Sequence, residues 1–176
     1  MNDTDKSKYL PLRKEKHRIT EDEAWAILVS PDIPFGFLGT HGVKEEGNMP
    51  YVVPMNFAAE RDSGAIYLHT TLDEDSKRNR SVAESPDICF TAVHPDSKII
   101  PSDEGLACKF SMNFKSVIAM GTAEKIEDAT EKTRILNHFM DQKAASWPHR
   151  EVGEHMTFIA TIYRINVAHI TGALKE

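Results

Sequence analysis

The stretch that decides the fold is 49-MPYVVPMNFAAERDSGAIYLHTTLDEDSKRNR-80. One face of positions 51–57 would carry the large apolar residues Tyr51, Val53, Met55 and Phe57. This period of two is typical of a half-buried strand. Residues 61–64 have the composition of a turn, so positions 65–70 are predicted to form a strand that returns antiparallel to the first one. The stretch therefore predicts a β-hairpin that leads into the start of a basic helix.

Two features of this stretch indicate a binding site. Pro54 lies in the middle of the first strand, where it removes a hydrogen-bond donor from the ladder, and proline is tolerated at an edge or bulge where a ligand could approach the backbone. Hydroxyl groups and cations also gather where the second strand passes into the helix, which predicts a phosphate site. These residues are Thr70, Thr71, Ser76, Lys77, Arg78 and Arg80.

Length and composition predict one soluble globular domain. The chain has 176 residues and a net charge of −6, which argues against nonspecific binding of nucleic acid. No apolar run approaches the ~20 residues that would span a bilayer, and the N-terminus lacks the apolar centre of a signal peptide. Only Cys89 and Cys108 are present, and we predict that both are reduced and buried. These features predict a cytoplasmic protein with no membrane partner.

Residues 1–18 are polar and contain six Lys or Arg residues. They predict a flexible basic N-terminal arm, with the remaining residues, 19–176, forming the domain. The arm is either a solvated tail or a segment that folds over an anionic ligand or a neighbouring subunit.

The rest of the chain predicts a mainly β protein with a few short helices. A capping box at Thr20 and Glu23 indicates the start of a first helix. Further helices are predicted over 76–85 and 128–142, and further strands over 35–41, 88–93, 108–126 and 158–170. The long strand is predicted to bend near Gly121. About six strands with few helices favour an antiparallel barrel with helices outside it.

Five motifs, in order, carry a family resemblance: PYVVPMNF, AIYLHT, SKRNRSVAESPDICF, CKFSMNFKSVIAMGTAE and YRINVAHITG. Together they resemble the pyridoxamine 5′-phosphate oxidase-like FMN-binding split barrels, nearest the branch of the 5-nitroimidazole resistance proteins. The resemblance covers roughly residues 13–172. It implies an antiparallel six-stranded split β-barrel, a single FMN-binding domain over 19–176, and a homodimer that holds two FMN molecules at the subunit interface.

The resemblance also implies roles for particular residues. The backbone of the first strand and the Asn56 side chain would lie along the flavin, and His69 would stand beside it. A second subunit would supply Trp147 to cover the pocket. The full set of implied cofactor-binding residues is Tyr51, Val52, Val53, Pro54, Asn56, His69, Thr70, Ser76, Lys77, Lys115, Ser116 and Trp147. Asn56 replaces a basic residue of the oxidase, and the oxidase's C-terminal substrate-phosphate motif is absent, so the resemblance argues against pyridoxamine phosphate oxidation.

Two of these assignments have competing interpretations. The cations at 77, 78 and 80 could form a solvated helix face; given the ordered motifs, we favour phosphate binding for Lys77 and a surface or interface position for Arg78 and Arg80. His69 is either a histidine at a strand end, bonded to a carbonyl, or a catalytic residue whose near-neutral pKa suits proton delivery to a nitro group or quinone.

The sequence thus predicts an FMN-dependent oxidoreductase that reduces small electron-poor compounds such as nitroaromatics. The electron chemistry would belong to the flavin. Three alternatives stay open: a flavin-binding protein without turnover, a split barrel that binds haem through an axial histidine, and a structural dimer without a cofactor. The remaining histidines are scattered without ligand spacing, so no metal site is predicted.

Overall fold

The computed structural model describes residues 15–176. Within this range the chain forms nine strands and three α-helices, together with 3-10 helices at Glu15–His17, Lys44–Glu46, Ala107–Lys109 and Glu154–Ile159. The strands are β1 (Arg18–Ile19), β2 (Gly36–Thr40), β3 (Tyr51–Met55), β4 (Phe57–Glu60), β5 (Ala65–Thr70), β6 (Asp87–Val93), β7 (Lys98–Ile100), β8 (Ser111–Ile126) and β9 (Thr161–Lys175). The helices are α1 (Glu21–Val29), α2 (Lys77–Glu84) and α3 (Ala129–Lys143). Most of the predicted N-terminal arm, residues 1–14, lies outside the described residues.

The strands form one curled antiparallel sheet in the order β3-β2-β6-β8-β9-β5-β4, with β1 added beside β9 and β7 beside β8. The two ends of this order, β3 and β4, follow each other in the chain and are separated only by Asn56. The two edges of the sheet must therefore meet at Asn56, so the sheet curls into a barrel. The predicted mainly β split barrel with outer helices is confirmed.

The predicted first strand of the hairpin is in fact divided at Asn56. Residues before the break pair with β2, where Pro54 lies opposite Phe37, and residues after it pair with β5, where Phe57 lies opposite Leu68. The side-chain nitrogen of Asn56, Nδ2, donates a hydrogen bond to the Pro34 carbonyl at 3.2 Å, which holds the break in place. This division, with the short β1 and β7, raises the predicted six strands to nine. Strands of two or three residues are too short to show a period of two.

Local sequence signals were reliable elsewhere. Thr20 and Glu23 form the predicted capping box: the Thr20 amide donates to Glu23 Oε2 at 2.7 Å, and the Glu23 amide donates to Thr20 Oγ1 at 3.2 Å. The predicted bend in the long strand is confirmed by a register shift between Met120 and Gly121. A Cβ atom on Gly121 would lie 2.1 Å from the Asn166 carbonyl oxygen, so no larger residue fits there.

The sheet packs on both of its faces, but unequally. The inner face forms the main core, in which the rings of Phe57 and Phe90 meet at 4.9 Å. The outer face of β4 and β5 is covered by α3, which buries Tyr67 against Ile135 and Phe139. The outer face of β2, β3 and β6 is open: Phe37 and Val52 are 40% and 63% exposed, and Val93 is 40% exposed. We call this open region the bare face.

Helix α3 also protects the edge of the sheet at β4. The buried Ala59 amide donates to Gln142 Oε1 at 2.9 Å, and Gln142 Nε2 donates to the Ala59 carbonyl at 2.8 Å. A side-chain amide that bonds both backbone groups of one residue acts like a neighbouring strand and satisfies groups that an edge leaves unpaired.

We expect Gln142→Ala to lower the free energy of unfolding by about 1–3 kcal/mol, because it leaves a buried backbone N–H without an acceptor. Urea denaturation measures this change. Asp141→Ala, at the exposed neighbouring position, is the control and should change stability by less than about 0.5 kcal/mol. Equal stability of the Gln142 variant and the wild type would contradict this account of the edge.

Candidate functional site

A cleft of about 280 Å³ opens where β3, β5 and α2 converge. It brings together four of the predicted site residues, which come from the division of the first strand and from the end of β5. The lining residues are Pro54, Met55, Asn56, His69, Thr70, Thr71 and Arg78. β3 has no neighbouring strand on its outer edge within residues 15–176, so its backbone groups are open to a ligand there.

Arg78 supplies the positive charge of the cleft. Its guanidinium is half-buried, with Nη1 3.7 Å from Met55 Sδ and Nε donating to Asn79 Oδ1 at 3.4 Å. It forms no ion pair with any carboxylate of the described residues, whereas Arg80 lies 2.5 Å from Glu45. A half-buried guanidinium without a countercharge is suited to bind an anion in a bidentate manner.

Thr70 contributes a second unsatisfied group. Its side chain points into the barrel end and is buried, and Oγ1 has no hydrogen-bond partner among the described residues. Buried hydroxyls are normally hydrogen-bonded, so one that lines a cleft without a partner indicates a ligand or a water at that position. A phosphate oxygen can accept a hydrogen bond from a hydroxyl and from a guanidinium, so the chemistry of these two lining residues suits a phosphate group.

His69 stands at the mouth of the cleft on the opposite face of β5 from Thr70. Its ring meets Phe139 of α3 edge-on, with centroids 5.1 Å apart and planes at 90°. Partial burial against this helix lowers the pKa of His69, and the positive charge of Arg78 lowers it further. The ring makes no hydrogen bond to the described residues, so the predicted bond to a carbonyl is not formed. A neutral imidazole at the mouth can donate or accept a hydrogen bond to a ligand.

Ser76 and Lys77 lie beside the cleft but do not line it. Ser76 is the N-cap of α2 and accepts a hydrogen bond from the Asn79 amide at 3.4 Å. Lys77 Nζ lies 2.6 Å from Glu46 Oε2 and 5.4 Å from the centroid of the Tyr51 ring. Lys77 is thus neutralised by a carboxylate on the turn between β2 and β3.

Arg78 was predicted to lie at the surface or at an interface, and in the structure it lines the cleft. One sequence signal could have found it. Val82 is the one large apolar residue of α2, and Arg78 lies one turn before it, so both occupy the helix face that packs inward. Lys77 is one residue earlier and therefore lies on a different face of the helix.

The other predicted site residues lie apart from the cleft within one subunit. Lys115 lines a separate pocket of about 250 Å³ with His94 and Lys175, and Ser116 pairs with Val93. Trp147 follows α3 and is 72% exposed.

A third and larger pocket, of about 470 Å³, lies at the start of β3. Tyr51 and Val52 line it together with Cys89 and Met120. Val53 points toward the core instead, where it packs against the main cluster.

Both cysteines are free, but the prediction that both are buried was wrong. Cys89 on β6 is half-buried, whereas Cys108 is exposed because it lies in a 3-10 turn rather than in the long strand, which begins at Ser111. In the part of the chain that the structure describes, no three His, Cys, Asp or Glu side chains are placed to hold a metal ion. Residues 15–176 contain no helix of the length and apolarity needed to cross a bilayer.

Comparison with solved structures shows the same fold in several proteins. A candidate 5-nitroimidazole antibiotic resistance protein from Bacteroides thetaiotaomicron is 22% identical, with a TM-score of 0.69 over 88% of this chain and 84% of that one. A flavocytochrome from Azotobacter vinelandii is 21% identical, with a TM-score of 0.73 over 94% and 72%. A FAD- and haem-binding protein from Mycobacterium smegmatis is 16% identical, with a TM-score of 0.68 over 91% and 74%.

Comparison of sequences gives the family. No curated protein matches the chain significantly. The sequence profile described as pyridoxamine 5′-phosphate oxidase matches residues 20–173, which is nearly the whole chain. The resemblance inferred from the five motifs is thereby confirmed at the level of the family. The chain belongs to the pyridoxamine 5′-phosphate oxidase family.

Proposed function

We propose that this protein is an FMN-dependent oxidoreductase that reduces small electron-poor compounds such as nitroaromatics. One observation carries the proposal: within residues 15–176, the cleft unites an arginine that has no countercharge and a buried hydroxyl that has no partner, next to an open strand edge. The proposal is also supported by family membership and by fold neighbours whose names state flavin binding and nitroimidazole resistance.

The anionic end of the cofactor would bind to Arg78 and Thr70. A guanidinium and a hydroxyl supply the charge and the donors that a phosphate dianion requires, and a hydrogen bond to a charged group contributes about 1.5–3 kcal/mol. Lys77 is already paired with Glu46, so we assign the main cationic contact to Arg78 rather than to Lys77.

The flat part of the cofactor would lie along the outer edge of β3. Backbone groups there have no strand partner in the described residues, and Pro54 presents a ring and no N–H, which leaves room for a planar ligand. When bound, the flavin supplies the hydride or electron transfer. Asn56 Oδ1 would be available to accept from the ring, because its Nδ2 is engaged by Pro34.

His69 would meet the acceptor at the cleft mouth. Its lowered pKa keeps the imidazole neutral near pH 7, so the ring N–H can donate a hydrogen bond to an oxygen of a nitro group or quinone. The chain therefore contributes binding and orientation at one end of the cleft and control of a proton at the other.

We further propose a homodimer with the cofactor at the subunit interface. The cleft, at about 280 Å³, lies at the lower end of the roughly 300–1,000 Å³ of typical ligand pockets, so a second surface would help to enclose a ligand as large as FMN. The exposed apolar side chains of the bare face suit such a surface. A second subunit could also supply Lys115, Ser116 and Trp147, which one subunit does not bring to the cleft. The free cysteines suit a cytoplasmic setting.

The dimer is tested by one substitution on the bare face. We expect Phe37→Asp to convert the dimer into a monomer, because a charge would be buried without a partner at the centre of the interface. Sedimentation velocity measures the mass. Asp62→Lys, which changes a charge at the exposed turn between β4 and β5, is the control and should remain dimeric. A monomeric wild type would refute the dimer.

The function is tested by the visible spectrum of the purified protein, followed by turnover. We expect flavin absorption near ~450 nm, one FMN per chain on titration, and reduction of a nitroaromatic with NADH or NADPH. A colourless protein that takes up no FMN would rule out the proposal. Bound FMN without turnover would identify a flavin-binding protein, and a Soret band would identify a haem protein.

A further inference from the structure

Asn79 has a buried side chain whose amide nitrogen and oxygen both form hydrogen bonds. It is only 4% exposed although it lies on the short, polar helix α2. Its Nδ2 donates to the Asp73 carbonyl at 2.7 Å and to the Thr71 carbonyl at 3.4 Å, and its Oδ1 accepts from Arg78 Nε at 3.4 Å. A buried side-chain amide whose nitrogen and oxygen are both engaged restricts the groups that it bonds to one geometry.

These three hydrogen bonds act on the two parts of the cleft that face an anion. The bonds to residues 71 and 73 hold the connection between β5 and α2, which carries Thr71 of the cleft wall. The bond to Nε holds the guanidinium and makes no use of its two terminal nitrogens. Asn79 itself does not line the cleft.

We propose that Asn79 is a positioning residue that sets Arg78 and the adjacent loop for the phosphate group of the flavin nucleotide; this rests on the proposed function. An unrestrained arginine loses rotamer freedom when it binds a ligand, and a restraint present before binding reduces that loss. Neither Asp, which lacks the two N–H donors, nor Ser, which is too short to reach both carbonyls, can reproduce the three bonds.

The test compares affinities for FMN and for riboflavin, which lacks the phosphate. We expect Asn79→Ala to weaken FMN binding about 10-fold and to leave riboflavin binding unchanged. In an Arg78→Ala background the same substitution should cost clearly less FMN affinity, because the part of its effect that acts through Arg78 is already removed. Asn79→Ser serves as a second, milder variant if the alanine variant does not fold.

Asn137→Ala is the matched control. Asn137 also holds a loop by its side-chain amide, donating to the Val152 carbonyl at 3.1 Å and accepting from the Val152 amide at 2.8 Å, but outside the cleft. This control should lose stability without changing the ratio of the two affinities. Equal losses for FMN and riboflavin in the Asn79 variant, or additive losses with Arg78→Ala, would overturn the proposal.

A second measurement needs no flavin. In the free protein we expect the NMR signal of Arg78 Nε–H to exchange slowly with water, and to exchange faster in the Asn79→Ser variant. An unchanged exchange rate would overturn the positioning role. If the wild type binds neither FMN nor riboflavin, the proposed function fails, and this signal alone decides whether Asn79 holds Arg78.

Discussion

Replacing Arg78 with alanine is expected to weaken FMN binding by about 10- to 100-fold. The loss corresponds to the roughly 1.5–3 kcal/mol of a hydrogen bond between charged groups, since Arg78 has no carboxylate partner among the described residues to compete with the phosphate. Riboflavin affinity should stay the same, because the missing contact is made only to phosphate. Titration followed by flavin fluorescence measures both constants.

The neighbouring cations supply the controls for this prediction. Arg80→Ala removes a guanidinium that is paired with Glu45, and Lys77→Ala removes an ammonium that is paired with Glu46. Both variants should bind FMN within a few-fold of the wild type. A loss confined to the Lys77 variant would instead place the phosphate on the side of α2 that faces Tyr51, where Lys77 was predicted to bind it.

The second large effect concerns stability at low pH and depends on Glu60. Partial burial would raise the pKa of Glu60, but hydrogen bonds from Ser63 and Tyr67 and the charge of Arg134 outweigh it and lower the pKa to about 2. Tyr67 donates to the carboxylate at 2.8 Å, and Arg134 Nη1 lies 2.9 Å from it. The carboxylate therefore joins the β4–β5 hairpin to α3.

The direction of the pH effect follows from this shift. Because the folded pKa lies below its ordinary value of 4.5, the stabilisation from Glu60 is fully present above pH 4.5 and is lost as the pH falls toward 2. We expect Glu60→Gln to lower the free energy of unfolding by roughly 2 kcal/mol at pH 7, and we expect the difference from the wild type to shrink between pH 4.5 and 2. Urea denaturation at a series of pH values measures it.

The control for this prediction is Glu124→Gln. Glu124 is also a sheet carboxylate near an arginine, but its side chain is 53% exposed and lies 4.0 Å from Arg164. This variant should change stability by less than about 1 kcal/mol at any pH. A difference between the wild type and the Glu60 variant that does not depend on pH would show that packing, and not ionisation, is responsible.

Features of the fold that depend on local chemistry could be predicted from the sequence. The capping box at Thr20, the turn at residues 61–64 and the bend at Gly121 each arise from a few adjacent residues. The break at Asn56 could not be predicted, because it depends on which strands lie at the two edges of the sheet. The alternation on either side of the break is continuous in sequence, so the pattern indicated one strand where the fold has two.

The residues of the candidate site could also be predicted only in part. Pro54 and Thr70 were predicted from the hairpin and the polar cluster that follows it, and Asn56 and His69 were implied by the family resemblance. The choice between Lys77 and Arg78 depended on the rotation of one short helix, which is set by contacts with β2 and β3 rather than by its own sequence. Lys115, Ser116 and Trp147 do not line the cleft in the described chain, and the role predicted for Trp147 involves a second subunit.

The one-residue link at Asn56 makes the cleft part of the seam of the barrel. If β3 and β4 swung apart about Asn56, the walls that hold a ligand beside this residue would separate. Ligand binding beside Asn56 would therefore favour the closed barrel over an opened one by mass action. Resistance to unfolding should consequently rise with the concentration of the bound ligand, without any new contact within the core.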